Sequence, residues 1–147
     1  MTDPRPKLLI VDDTPANIHF LAEGLAEAYE LRAALCGEDA LQAVAEDLPD
    51  LILLDGNLPG LSGFEVCRRL KEAPATRPIP VIFVTGRDEE EDELEGLQAG
   101  AADYITRPFS LAILRCRVQT HLELKRHREL LASLSPAGPS NEEGVCK

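Results

Sequence analysis

The sequence predicts a doubly wound α/β domain, a five-stranded parallel sheet flanked by helices. Two observations carry this expectation. Short apolar runs alternate with amphipathic stretches five times along the chain, which is the pattern of repeated strand–helix units. The run at 51–54, LILL, is apolar at every position, so it has no solvent face and belongs inside a sheet covered on both sides.

The elements follow in order. Residues 7–12 (KLLIVD) form the first strand. Thr14-Pro15 then reads as an N-cap followed by proline at the first helical position, with Ile18, Leu21 and Leu25 as the stripe of the first helix. Tyr29, Leu31, Ala33 and Leu35 alternate as a second strand, and Leu41, Val44, Ala45 and Leu48 mark a second helix. After the central strand at 51–54, Pro59-Gly60 breaks the chain, and Phe64, Cys67 and Leu70 stripe a third helix. Residues 79–84 (IPVIFV) make the fourth strand. Leu94 and Leu97 sit on a fourth helix closed by Gly100, and residues 102–106 (ADYIT) form the fifth strand. The last helix begins near Phe109 and keeps its pattern through Leu134, roughly 26 residues or 39 Å at 1.5 Å per residue. That is too long to pack on this sheet alone. Ile113, Leu114, Val118 and Leu122 are its sheet-facing candidates, while Leu124, Leu131 and Leu134 form a weaker second stripe.

Bulk properties narrow the class. The chain has 147 residues, 44% hydrophobic and 28% charged, a composition that buries a core and stays soluble. No apolar run approaches the ~20 residues that span a bilayer, and MTDPRPK lacks the apolar stretch of a secretory signal, so the cytoplasm is the expected location. The net charge of −11 argues against direct nucleic-acid binding. It is uneven: residues 1–108 carry 9 basic and 22 acidic side chains, residues 109–147 carry 6 and 4. The expected organisation is a body at 1–122, a helical extension at 123–134 and a disordered Pro/Gly/Ser-rich tail at 135–147. Cys36, Cys67, Cys116 and Cys146 are scattered, with neither disulfide nor zinc spacing. The first three are expected to fill space in helices or strands, and Cys146 to be a free thiol in the tail.

Ligands of doubly wound sheets bind beyond the carboxyl ends of the strands. Those ends carry Asp12-Asp13, Asp55, Thr85 and Arg107. Three clustered carboxylates repel one another and are costly to bury without a cation. An oxygen-only set of this kind suits Mg²⁺. With the ion in place, Asp55 can act as a carboxylate nucleophile toward a phosphoryl donor, with Thr85 and Arg107 meeting the phosphoryl oxygens. A single aspartate at a strand end is usually a cap or a solvated turn; the whole set in one crevice is not.

LLIVDD, DLILLDGNLPGLSGFEVCRRLK, PVIFVTG and GAADYITRPF closely resemble the receiver domains of bacterial two-component response regulators, over about residues 6–125. The resemblance implies a flavodoxin-like sheet of order 2-1-3-4-5 and Mg²⁺-dependent acceptance of phosphate from a histidine kinase. It implies Asp55 as the phosphoacceptor, Asp13 as a direct metal ligand, Asp12 acting through water, and Asn57 offering a backbone carbonyl to the metal. It further implies Thr85 as the switch hydroxyl, with Gly86 keeping access open, and Tyr104 as an aromatic switch that turns inward when the threonine is drawn to the phosphate. A cis peptide is expected before Pro108. One departure stands out: the family has Lys where this chain has Arg107, and the exchange of an ammonium for a planar fork is not conservative. Arg107 either clamps the phosphate, pairs with Asp55 at rest, alters the kinetics of phosphorylation, or uncouples phosphorylation from Tyr104.

Two further segments read in two ways. The run DEEEDELE at 88–95 holds seven acids in eight positions; it is either a solvated helix start favoured by the dipole or part of a surface that meets a partner. RVQTHLELKRHRELLASL is either the plain end of the last helix or a signalling helix that dimerises as a coiled coil or joins an output domain. His19, His121 and His127 read as surface or packing histidines. The function expected is a phosphoryl-controlled signalling module served by a sensor histidine kinase or phosphotransfer protein, acting on an output domain or partner. Its own chemistry would be limited to its phosphorylation and slow reset. The alternative is a degenerate receiver that binds proteins without phosphorylation. An aspartyl phosphatase is disfavoured because Asn57 stands where a second Asp would serve as acid/base.

Overall fold

The computed structural model describes residues 5–86 and 89–134; the expected tail, with Cys146, lies outside them, as do Asp88 and the first four residues. Five strands alternate with five helices: β1 (Lys7–Val11), α1 (Pro15–Leu25), β2 (Glu30–Ala34), α2 (Gly37–Glu46), β3 (Leu51–Leu54), α3 (Gly63–Glu72), β4 (Val81–Thr85), α4 (Glu90–Gln98), β5 (Asp103–Thr106) and α5 (Leu111–Leu134). All pairings are parallel and the order is β2-β1-β3-β4-β5, as expected. No helix among the described residues is long and apolar enough to cross a membrane.

The period-two geometry of the strands sorts the core into two halves. Leu9, Val11, Ile52, Leu54, Val81 and Phe83 face α2, α3 and the end of α4, with Ala40, Val44, Phe64, Val66, Cys67 and Leu70 beneath them. Leu8, Ile10, Leu51, Leu53, Ile82, Val84 and Ile105 face α1 and α5, meeting Leu21, Leu25, Leu114 and Val118. β3 is buried at all four positions, which is why its sequence has no polar alternation.

Several stripe assignments shift. Ile113 is 53% exposed; Leu111 packs on the sheet side in its place, one turn before Leu114. Leu94 and Leu97 lie on α4 but face solvent, at 54% and 42% exposed. That helix meets the core through small residues instead: Gly96 and Ala99 are buried, and a Cβ on Gly96 would come within 2.9 Å of the Tyr104 ring. In α2, Ala45 points outward while Ala40, Leu41, Ala43 and Val44 pack inward, and Leu48, expected on this helix, lies beyond its end and is exposed. Ala33 and Leu35 are also exposed, because β2 is an edge strand that ends at Ala34. Of the described cysteines only Cys67 fills core space; Cys36 is half-buried ahead of α2 and Cys116 is exposed.

Helix ends follow local chemistry. Ser62 caps α3 by accepting the Glu65 N–H at 3.2 Å. Gly100, at φ 106°, turns the chain out of α4. Ser110 receives the Ile113 N–H at 3.3 Å ahead of α5. Thr14 occupies the N-cap position of α1, but its hydroxyl does not cap the helix.

Candidate functional site

Parallel pairing aligns the strand ends and so gathers the acidic residues. Val11 lies opposite Leu54 in the β1–β3 ladder, which sets Asp12 and Asp55 side by side just past their strands. Asp12 and Asp55 are buried, at 4% and 6% exposed, and Thr85, closing β4, is fully buried. Asp13 is exposed. Asp12, Asp13 and Asp55 each bring one carboxylate oxygen within 4.8 Å of the others. A polar cavity opens here, lined by Asp13, Thr14, Asn17, Asp55, Asn57, Thr85, Gly86 and Arg107. Every site residue expected from the sequence except Asp12 and Tyr104 touches this space.

Backbone donors fix the acids. Thr14 N–H donates to Asp12 Oδ1 at 2.9 Å, and Asn57 N–H donates to Asp55 Oδ1 at 3.0 Å. Burial pushes the Asp12 carboxyl above its ordinary value, and the charge of Asp55 adds to this; the Thr14 N–H, Arg107 and the Asn17 amide work against it. The site therefore holds negative charge that its surroundings only partly satisfy. The donor set is oxygen throughout, which suits a hard divalent cation.

Arg107 supplies the positive charge. Its Nη2 lies 3.2 Å from Asp12 Oδ2, 3.3 Å from Asp55 Oδ2 and 3.3 Å from the Val84 carbonyl. Its backbone N–H donates to the Thr85 carbonyl at 2.8 Å, and the bond to Pro108 is cis, as expected. The pairing with Asp55 weighed from the sequence is thus present, and it extends to Asp12 as well.

Tyr104 lies beside the cavity rather than in it. Its side chain is buried, with the ring 5.6 Å from Phe83. Gly86 has open space where a Cβ would be, which fits its place at the cavity mouth.

The sequence of strand-end motifs together with this geometry matches one family. The sequence profile of the response regulator receiver domain fits residues 8–119. The chain belongs to the response regulator receiver family. This receiver is 47% identical over 124 residues to a probable cyclic di-GMP phosphodiesterase of Vibrio cholerae, covering 84% of this chain and 28% of that protein. It is 45% identical over 120 residues to the response regulator PleD of Caulobacter vibrioides, covering 81% and 26%. Among solved structures, a putative response regulator from Chloroflexus aurantiacus superposes with a TM-score of 0.77 at 37% identity, over 80% of this chain and 98% of that one. The receiver spans about a quarter of the length of the two curated relatives.

Two residues of the receiver's site escape a reading of the strand ends. Asn17, on α1, sends its amide to both oxygens of Asp12, at 3.4 and 3.3 Å. Gly63, at the start of α3, lies so close to the acceptor loop that a Cβ would stand 2.1 Å from the Asp55 carbonyl oxygen. The signal for Asn17 is its place one turn into the helix that follows the acid pair. The signal for Gly63 is a glycine at a helix start, where no conformational need explains it.

Proposed function

We propose that this receiver takes a phosphoryl group onto Asp55 in a Mg²⁺-dependent reaction and passes the change outward through its switch residues. The observation that carries this is the Asp55 carboxylate, held buried at the end of β3 in a cavity shared with Asp13, Asn57, Thr85 and Arg107. Three carboxylates against one guanidinium leave room for a divalent cation. Asp13, Asp55 and the backbone carbonyl of Asn57 would hold Mg²⁺, with Asp12 behind them. When bound, the ion draws off charge developing on the phosphoryl oxygens and relieves the repulsion among the acids.

The remaining work falls to the chain's own residues. An Asp55 carboxylate oxygen attacks phosphorus in line with the leaving group; the new O–P bond forms as the donor's bond to phosphorus breaks, and the leaving group departs with the electron pair. Arg107 gives up its contact with Asp55 and meets the phosphoryl oxygens, where its charge and N–H donors hold them. The Thr85 hydroxyl donates to a third oxygen, and Gly86 leaves the approach open. Water later hydrolyses the acyl phosphate and resets Asp55. Tyr104, packed inward on Phe83, reads the position of Thr85.

The donor in this reading is a sensor histidine kinase or a phosphotransfer protein, in the cytoplasm. Residues 1–122 are the receiver body, and 123–134 lead to an output domain, a partner or a second copy. Leu124, Leu131 and Leu134 on α5, 45%, 69% and 77% exposed, are the surface such a neighbour would cover.

Incubation with Mg²⁺ and acetyl phosphate, followed by intact-protein mass spectrometry, tests the acceptor. The expected result is a gain of one phosphoryl group that disappears in Asp55→Asn and without Mg²⁺. Phosphorylation that persists in Asp55→Asn refutes the assignment.

A further inference from the structure

Asp12 is the most heavily bonded carboxylate of the site. Oδ1 accepts the Thr14 N–H at 2.9 Å and the Asn17 amide at 3.4 Å; Oδ2 accepts the Asn17 amide at 3.3 Å and Arg107 Nη2 at 3.2 Å. A carboxylate offers about four lone-pair sites, so protein donors already engage them all. Asp13 differs. It is exposed, and among the described residues it receives only the Thr14 hydroxyl, at 3.4 Å.

Position sharpens the contrast. Asp12 does not line the polar cavity. It lines a small apolar recess behind it, with Phe20, Leu21, Val84 and Phe109. Asn17 and Arg107 line both spaces, so the two residues that bind Asp12 also reach the polar cavity. Arg107 is also used unevenly. Among the described residues every hydrogen bond of its side chain runs from Nη2, and none from Nε or Nη1.

We propose that Asn17 is a positioning residue for Arg107, acting through Asp12, and that Asp12 anchors the guanidinium rather than ligating the metal. The inference rests on the assignment of Asp55 as acceptor. The amide of Asn17 spans both oxygens of Asp12 and fixes the plane of that carboxylate. The carboxylate holds one corner of the guanidinium. The Nη1 amino group, which makes no hydrogen bond among the described residues, stays available for a phosphoryl oxygen while Nη2 is held, a division between two nitrogens that a single ammonium nitrogen cannot make. This gives the Arg-for-Lys exchange a partner on α1: a planar fork needs its plane set, and Asn17 with Asp12 sets it. Placement errors of about 1 Å at a reacting centre can cost up to ~10²-fold in rate, so a secondary tether has a measurable effect.

Three readings on the full chain test this. In Asn17→Ala, a change that raises helix propensity at a half-buried position, NMR relaxation of the Arg107 Nε–H is expected to show lost side-chain order. The rate of phosphorylation by acetyl phosphate at saturating Mg²⁺ is expected to fall by roughly 5- to 20-fold. In an Arg107→Ala background the same substitution should change the rate by less than about twofold, because its effect passes through the missing side chain. Mg²⁺ titrations without any phosphodonor, followed by backbone amide shifts, should show Asp13→Asn weakening the ion by more than about 30-fold and Asp12→Asn by less than about threefold. The proposal is overturned by an Asn17→Ala protein whose Arg107 is as ordered as before. It is equally overturned by a rate loss that is the same with or without Arg107, or by Asp12→Asn costing as much Mg²⁺ affinity as Asp13→Asn. If the parent protein takes up no phosphoryl group, the acceptor assignment fails, while Arg107 order and the Mg²⁺ titrations still decide the clamp.

Discussion

Replacing Arg107 by methionine keeps most of the aliphatic stem and removes the charge that sits between two buried acids. At 3.2 and 3.3 Å and an effective dielectric of about 20, each contact is worth on the order of 5 kcal/mol in bare Coulomb energy. The net figure is smaller, because the guanidinium itself gives up hydration and the Arg107 side chain is still 27% exposed. Removing one partner of a buried pair costs about 3–5 kcal/mol, and the exposure points to the low end, ~3 kcal/mol. Urea unfolding at pH 7 in EDTA should show that loss in Arg107→Met. Mg²⁺ should return much of it, since a ligand at 100 times its Kd adds about 2.7 kcal/mol, and the variant has no guanidinium competing for the same carboxylates. Mild acid should help too. Asp12 has a folded-state value above its unfolded one, so the folded state takes up that proton first as pH falls, and this group adds stability on acidification. An Arg107→Met protein within about 1 kcal/mol of the parent in EDTA would refute the electrostatic account, as would Mg²⁺ stabilising the parent more than the variant.

Other expectations follow from single features. Gly63→Ala forces a methyl group against the Asp55 backbone and should cost about 2 kcal/mol or more by overpacking while slowing phosphorylation; unchanged urea midpoint and rate would show that the α3 start is free to move. Cys67, whose thiol burial pushes up to about 11, should resist iodoacetamide in the native protein while exposed Cys116 reacts, as peptide mapping would reveal. For Asp103, burial acts to raise the carboxyl, but the Tyr104 N–H, Arg117 and His121 outweigh it and hold it below its usual value. Its stabilising share is therefore full above the unfolded value near 3.8 and is lost as pH falls through the lower folded one. Asp103→Asn should flatten that acid limb of the stability curve, and an unaltered limb would assign it to other groups.

The sheet was legible because its inner strands are buried on both faces. β3 is apolar throughout and β4 is apolar up to its closing Thr85, so runs such as LILL and IPVIFV announce themselves, and their ends locate Asp55 and Thr85 without further help. Helix faces were harder. A helix that meets the sheet through Gly96 and Ala99 presents no large apolar side chain inward, and the two leucines that look like its stripe, Leu94 and Leu97, lie on its outer face. Hydrophobic periodicity marks apolar residues; it does not say which of them are covered. The same confusion placed Ile113 against the sheet, although Leu111, Leu114 and Val118 complete that contact.

The site divides along the same line. Residues that act from strand ends could be read from order alone, since a parallel sheet brings every carboxyl end to one edge. What order does not reveal is how the donors are apportioned among the acids. Asp12 and Asp13 are neighbours in sequence and equal in charge, yet one is enclosed by Thr14, Asn17 and Arg107 while the other faces the cavity with a single weak donor. That asymmetry arises from the turn into α1, which points the Thr14 N–H and the Asn17 amide back at Asp12, and from a fork long enough to cross from β5. An arginine in this position therefore changes more than the cation at the phosphate. In the proposed clamp it makes one of the three acids part of its own mounting, leaving Asp13 and Asp55 to face the incoming charge.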